Sequence, residues 1–390
     1  MPSGGPVGAA AVVGVGETDY ADDYRRRREP DRPPRDAYSY GVDAFRRALA
    51  DAGLCRDDVD GLVAGPPLAA ERTAEILGLD PHWAATGDHA HAVWLAAMAL
   101  ATGAAGCVAL VYGNDQRSAG VRYGGAATPG AALFLAYDYF APWGLTSQGA
   151  LYALMARRYR EVHGLSEEAL AEVAVHQRRF AATTPGAVMT RPLTVADYLA
   201  SPYVVEPLHL LDYCLVNDGG VCLILTTPDR AAGLGPPPVT VAAFGRAEAD
   251  REATSLRPRL GDLYHPAHRR AAAQLREASG VGPEDVACVQ IYDSFSIHVP
   301  VALEGFGFFP EGEADAFLAG GGLRPGGRLA VNTAGGHLSG SYMQGWGHQV
   351  EAVRQLRGHA GARQQPGLRH VQYIGDAAGK VTSILYRKGR

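Results

Sequence analysis

Residues 90–112 read AHAVWLAAMALATGAAGCVALVY, and the division of this stretch decides the fold. It is the most apolar run of the chain. A membrane-spanning helix needs roughly 20 unbroken apolar residues. Here His91, Thr102 and the small residues Gly103 to Gly106 interrupt the run. The stretch therefore reads as a buried helix from His91 to Ala101, a glycine stop at Gly103, and a buried strand from Cys107 to Tyr112.

The same strand and helix signals recur on both sides. Upstream, AAAVVGVGETDY (9–20) is a buried strand running into a glycine turn. The arginine-rich RRRREPDRPPR (25–35) is a solvated loop. Asp36 to Gly53 is an amphipathic helix ended by its glycine, and Val59 to Ala64 is a strand. Downstream, Gln148 to Phe180 is helical with a break near Gly164, where Ser166 and two glutamates restart the helix. Thr194 to Leu211 is irregular and leads to a strand at Val221 to Thr226. The proline run after Gly235 then divides the chain. Beyond it come strand Val239–Phe244, helix Pro266–Ala278, strand Val286–Tyr292, helix Ile297–Phe306, helix Trp346–Arg357, and strands His370–Gly375 and Val381–Tyr386. Such alternation predicts a layered α/β fold with a largely parallel sheet. The expected halves are residues 1–235, carrying an inserted helical and loop region at about 115–210, and residues 236–390.

Composition narrows the function. Of 390 residues, 47% are hydrophobic and 20% charged, and the net charge is -5. A large core is expected, and nucleic acid is not the expected partner. The 13 histidines are scattered without CxxC or HExxH spacing, so no metal is expected. Five cysteines at irregular positions fit a reducing compartment. MPSGGPVGAA has no basic segment before its apolar residues, so a cytoplasmic chain is expected.

Three segments carry residues suited to chemistry. In Val289 to Phe295 a buried strand ends on Tyr292 and Asp293, where layered α/β folds present reactive groups; Tyr292 is also readable as a core aromatic. Asn332 to Tyr342 is a glycine turn whose backbone N–H groups at Gly335 and Gly336 suit an enolate or oxyanion, with Gly345 and His348 following; it is also readable as a structural turn. Gly87 to His91 lies at the start of a buried helix, where a nucleophile is favoured by the helix dipole. No cysteine is there; Asp88 reads as a helix cap and the histidines as bystanders. Gly14 and Gly16 lack the third glycine of a dinucleotide site. Ser118 and Ser294 lack a nucleophile elbow.

Several long patterns resemble the thiolase superfamily, in the branch of sterol-carrier-protein-X-type thiolases and lipid-transfer-protein thiolase homologues. They are AVVGVGETDY (11–20), LAAMALATGAAGCVALVYG (95–113), ALMARRYREVHGLSEEALAEVAVHQRRFAATTPGA (153–187), EPLHLLDYCLVNDGG (206–220) and NTAGGHLSGSY (332–342). The resemblance implies a thiolase fold: two similar layered α/β/α halves with mixed five-stranded sheets. Every main thiolase catalytic side chain is replaced. The loop of the acyl-accepting cysteine reads Thr86-Gly-Asp-His89. The histidine after the glycine turn is Tyr342. The histidine of the HDCF-like segment is Tyr292, and the C-terminal acid/base cysteine is Tyr373. Cys107, Cys222 and Cys288 fall in apolar strands, and neither Cys55 nor Cys214 matches a family nucleophile.

The paired tyrosines look like those of the steroid side-chain aldolases in this branch. That likeness implies retro-aldol cleavage of a β-hydroxyacyl-CoA to a ketone and a short acyl-CoA such as propionyl-CoA. Tyr292 and Tyr342 would be base and acid in an order left open. Asp293, Asn332, Gly335, Gly336, His348 and Gly375 would serve substrate and oxyanion, with Asp88, His89 and Tyr373 as further candidates. No tightly bound cofactor is expected beyond the CoA thioester substrate. A homodimer and a small zinc-ribbon/OB-fold acyl-CoA-binding partner are expected. The alternatives are a divergent thiolase or condensing enzyme, and a non-catalytic acyl-CoA or lipid-binding protein.

Overall fold

The computed structural model describes residues 7–26, 29, 31–123, 140–248, 265–324, 326–375 and 380–389. Residues 1–6, on which the reading of the N-terminus partly rests, lie outside these. So do 27, 28 and 30 of the arginine-rich stretch and 124–139 of the inserted region.

Ten strands form one sheet. They are β1 (Ala11–Glu17), β2 (Gly61–Ala64), β3 (Trp83–Thr86), β4 (Cys107–Asn114), β7 (Gly219–Thr226), β8 (Val239–Glu248), β9 (Cys288–Ile291), β10 (Ala330–Val331), β11 (His370–Gly375) and β12 (Lys380–Lys388). A separate hairpin pairs β5 (Tyr203–Val205) with β6 (Leu208–His209). The sheet order is β10-β9-β11-β12-β8-β1-β7-β4-β2-β3. The five strands before β8 and the five from β8 onward take mirrored orders, so one plan occurs twice. The halves join through β1 and β8, where Ala11 pairs Thr240 and Val12 pairs Val239.

Each half is mixed, which corrects the largely parallel sheet that the strand–helix alternation suggested. Pairs β2–β3, β2–β4, β9–β10 and β9–β11 are parallel. The fifth strand of each half enters antiparallel: β7 against β4 and β1, β12 against β11 and β8. Alternation reveals the crossovers that force strands parallel. It does not reveal the direction of a strand reached by another route, such as β7 after the 115–210 region.

The decisive stretch folds as its punctuation implies, with longer elements. Its helix runs His89–Thr102, Gly103 takes φ 71° at the C-cap, and the strand continues to Asn114. The long helical stretch divides at Gly164 into helices Gln148–His163 and Glu167–Ala181, and Ser166 accepts from the Ala169 N–H. Strand β4 shows the period-two logic of a strand buried on both faces. Cys107, Ala109 and Val111 join one core cluster with helices Ala37–Ala52 and Ala70–Leu77. Val108, Leu110 and Tyr112 join another. That second cluster includes helices His89–Thr102 and Trp346–Arg357 and strands of both halves, so the two halves share it.

The glycine pair Gly14 and Gly16 has a packing explanation. A Cβ at Gly14 would meet Ala48 O at 2.3 Å, and one at Gly16 would meet Ala44 O at 2.1 Å. The helix Ala37–Ala52 therefore lies directly on β1. In the second half, Gly245 of β8 stands in the same relation to Ala271 O, at 2.0 Å. Among the described residues no helix is long and apolar enough to cross a membrane.

Candidate active site at the strand ends of the C-terminal half

Parallel strands β9, β10 and β11 end at one edge, and their carboxyl ends carry Tyr292, Asn332 and Gly375. The start of helix His89–Thr102 reaches the same edge from the N-terminal half. Here the Tyr292 and Tyr342 hydroxyls lie 3.2 Å apart. Tyr342 is buried and Tyr292 is half-buried. Burial pushes the Tyr342 phenol well above its ordinary range; Cys214 and Tyr123 add to this, and hydrogen bonds to Tyr292 and Gln344 oppose it. The Tyr342 backbone is fixed by its N–H donating to Asn217 Oδ1 at 2.6 Å.

The phenols rest on a buried network centred on Asp293, which is 0% exposed. Its carboxylate accepts from the His337 N–H at 2.9 and 3.0 Å, the Leu338 N–H at 3.4 Å, and His348 Nε2 at 2.9 Å. Charge-assisted bonds of this kind are the strong ones. They fix the turn after Gly336, where residues 336–340 form a single π-helical turn. His337 lies at the centre. Its ring meets Tyr292 edge-on at 4.8 Å, Tyr342 at 4.8 Å and His348 at 4.4 Å. Its Nε2 accepts the Gly345 N–H at 2.9 Å. Burial holds the imidazole far below its ordinary pKa, so it stays neutral.

The other candidates fall into place around this core. Asn332 takes φ 51°, and its amide bonds both the N–H and the carbonyl of Ile291, at 2.6 and 3.0 Å. It holds β10 to the end of β9, and its amide atoms are directed to backbone. The Gly335 N–H donates to Asn332 O at 2.8 Å. A Cβ at Gly336 would stand 2.4 Å from Asp293 Oδ2, so glycine is what lets the turn close on the carboxylate. His89 is buried, and its Nδ1 lies 3.1 Å from the Tyr373 hydroxyl. Its ring lies 5.5 Å from that of Tyr292. Gly375 makes room for it, since a Cβ there would meet His89 Cε1 at 2.9 Å. Asp88 holds the N-cap position without a side-chain capping bond. Its carboxylate faces Lys380 at 3.7 Å instead.

The sequence reading assigned no site role to four residues found here: His337, Gly345, Asn217 and Cys214. Gly345 takes φ 81°, and a Cβ there would collide with the Tyr373 hydroxyl at 2.0 Å. His337 was visible in the glycine turn but carried no signal apart from the glycines before it. Cys214 lies within electrostatic reach of Tyr342 and Asp293. Burial pushes its thiol up to about 12, so little thiolate forms at neutral pH. Cys107 and Cys288 are likewise pushed to about 12, and burial raises Cys222 further.

Ligand atoms of Asp293, His337 and His348 lie within 4.8 Å of one another. In this set Asp293 bonds His348 Nε2 and the His337 and Leu338 N–H groups, His337 Nε2 accepts from Gly345, and His337 Nδ1 stands 3.5 Å from Asp293 Oδ1 without a hydrogen-bond partner.

Comparison with known proteins adds independent findings. Residues 250–386 match the family described as "Thiolase C-terminal domain-like". A steroid side-chain-cleaving aldolase from Thermomonospora curvata is 36% identical over 92% of this chain and 93% of its own length. The 17-hydroxy-3-oxo-4-pregnene-20-carboxyl-CoA lyase of Mycobacterium tuberculosis is 34% identical over 93% and 95%. A solved chain titled "Ltp2-ChsH2(DUF35) aldolase" superposes with a TM-score of 0.88 and 32% identity, over 99% of this chain and 100% of that one.

Proposed function

This chain belongs to the thiolase superfamily, among relatives that include steroid side-chain-cleaving aldolases, and on that premise we propose that it is a carbon–carbon lyase cleaving a β-hydroxyacyl-CoA by retro-aldol chemistry. The observation that carries the reading is the pair of phenols 3.2 Å apart at the strand ends, with Cys214, the one thiol within electrostatic reach of Tyr342 among the described residues, held protonated by burial.

The substrate carries a tertiary β-hydroxyl, on a steroid ring as in the named relatives. A phenolate takes the hydroxyl proton, the oxygen forms the ketone, and the Cα–Cβ bond breaks. Its electron pair passes into the thioester as an enolate. A phenol then protonates Cα, which gives the shorter acyl-CoA, propionyl-CoA for a three-carbon fragment. No bond to the enzyme forms. Burial keeps Tyr342 protonated, so it takes the acid role, and half-buried Tyr292 takes the base role. An unperturbed phenol has a pKa near 10. Ionising one at neutral pH therefore costs about 4 kcal/mol, at about 1.4 kcal/mol per unit.

His337 positions both rings, and Asp293 with His348 holds the turn that carries Tyr342. Gly336 and Gly375 are the backbone positions assigned to the enolate oxygen, and Asn332 anchors the start of the turn that carries Gly336. The proposal includes residues 1–235 and 236–390 as the two halves, a cytoplasmic location, a homodimer, and a partner protein of zinc-ribbon/OB-fold type that helps hold the acyl-CoA.

The test is incubation of the chain, alone and with such a partner, with a steroid β-hydroxyacyl-CoA. Mass spectrometry should find ketone and propionyl-CoA in equal amounts. An acyl group trapped on Cys214 would replace this reading with acyl transfer. Tight binding with no product would replace it with a carrier role.

A further inference from the structure

A second cluster of ionisable side chains lies away from the phenols. The end of helix Gln148–His163, the start of helix His265–Ser279 and the end of helix His298–Gly305 meet there. Ligand atoms of His163, Glu304 and Glu311 lie within 4.8 Å of one another. His265 Nε2 lies 3.0 Å from Glu304 Oε1, but without the alignment of a hydrogen bond.

The two oxygens of Glu304 differ. Oε2 accepts from the Tyr159 hydroxyl and from the Gly312 N–H, the latter at 3.0 Å. Oε1 has no hydrogen-bond partner, nor has either nitrogen of His265, nor Nε2 of His163. His265 is 0% exposed and Glu304 6%. Buried polar atoms are almost always bonded, and an orphan is costly. These orphans lie on metal-ligating side chains, and one ion can take Glu304 Oε1, His163 Nε2 and at most one nitrogen of His265. A water molecule does not fit between two atoms 3.0 Å apart, whereas one ion bonded to both at about 2.0–2.2 Å does.

We propose that His163, Glu304 and exposed Glu311 bind a divalent transition-metal ion of the zinc class, with His265 Nε2 or water in the fourth position. An imidazole among the ligands suits zinc better than magnesium or calcium, which take oxygen ligands. The bonds from Tyr159 and Gly312 orient the carboxylate so that Oε1 faces the ion, as outer partners do in metal sites. Gly312 makes room for the ligand, since a Cβ there would lie 2.9 Å from His163 Nδ1. Glu311 also pairs with Arg269 at 2.6 Å, so its place is exchangeable. The ion would tie helices Gln148–His163 and His298–Gly305 together, and the latter continues from the Tyr292–Asp293 strand end. Nothing in this inference depends on the aldolase reading.

The test uses the full chain purified without any partner, titrated with Co2+ and then Zn2+. We expect one ion per chain, and visible d–d bands without a thiolate charge-transfer band. Zinc should displace the cobalt and raise the melting temperature. His163→Ala, at a half-buried helix end, should keep its circular dichroism, weaken binding at least about ten-fold, and lose the zinc-dependent rise in melting temperature. Glu304→Gln should do the same; if it does not fold, His163→Ala decides. No stoichiometric binding, a thiolate band, or unchanged binding in His163→Ala would overturn the proposal.

Discussion

In the N-terminal half, the junction after β3 delivers one buried imidazole, His89, to the site. In the C-terminal half, the ends of β9 and β10 and the turn after them deliver both phenols, Asp293, His337 and His348. The strand plan is the same in both halves, so architecture does not cause the difference. What differs is the side chain at corresponding junctions. In a thiolase the junction at His89 would carry the nucleophile; here it carries a ring that packs against Tyr292 and bonds Tyr373. On the proposed reading the chemistry lies in one half, and the other half supplies a wall.

This contrast can be broken most directly at the phenols. Tyr292→Phe and Tyr342→Phe should each lower kcat by about 10²–10⁴, the usual worth of a general acid or base. The double variant should be little worse than either, because the two act as a unit. Near-normal turnover in both single variants would remove the phenols from the chemistry.

Asp293→Asn should cost about 2–4 kcal/mol of stability in a denaturant titration. The new amide would turn an N–H toward backbone donors that now meet a carboxylate. An unchanged midpoint would mean that the turn is held by something else.

Gly345→Ala should cost about 1–3 kcal/mol through its φ of 81° and its collision with the Tyr373 hydroxyl. Adding Tyr373→Phe removes the colliding atom and should recover part of the loss. Failure of that rescue in a thermal melt would locate the cost in the backbone alone.

His89→Gln sharpens the comparison from the other side. As part of a wall it should lower kcat by about ten-fold or less, below the range for an acid or base. A loss as large as that at the tyrosines would make the N-terminal half a catalytic partner.

The pH profile is the mildest test. The base must be deprotonated, so kcat/KM should rise with pH through neutrality. The acid must stay protonated, and burial raises the Tyr342 pKa, so no alkaline fall should appear in the stable range. A fall near pH 9 would assign the acid to another group.

Much of the fold was legible in the sequence. Helix Trp346–Arg357 and strand His370–Gly375 have the limits that period and punctuation set, and Gly53, Gly103 and Gly164 end helices at the C-cap. Short elements such as β3 and β10 were not legible, because four and two residues carry no period. Tyr292 and Asp293 were singled out by their place at a strand end, and Tyr342 by the family resemblance of the glycine turn that it ends. His337 was not, because its meaning lies in three rings and a carboxylate contributed by other segments.

The sequence by itself determined the alternation of strands and helices, the lack of a cysteine from Thr86 to His91, and the two tyrosines at a strand end and in a glycine turn. These are local facts of period, punctuation and residue type. Only the tertiary structure decided that the phenols touch, that Asp293 is buried beneath the turn carrying one of them, and that His163, Glu304 and Glu311 converge. Those outcomes depend on distances between residues as far apart along the chain as His163 and Glu311, which packing sets and no local pattern encodes.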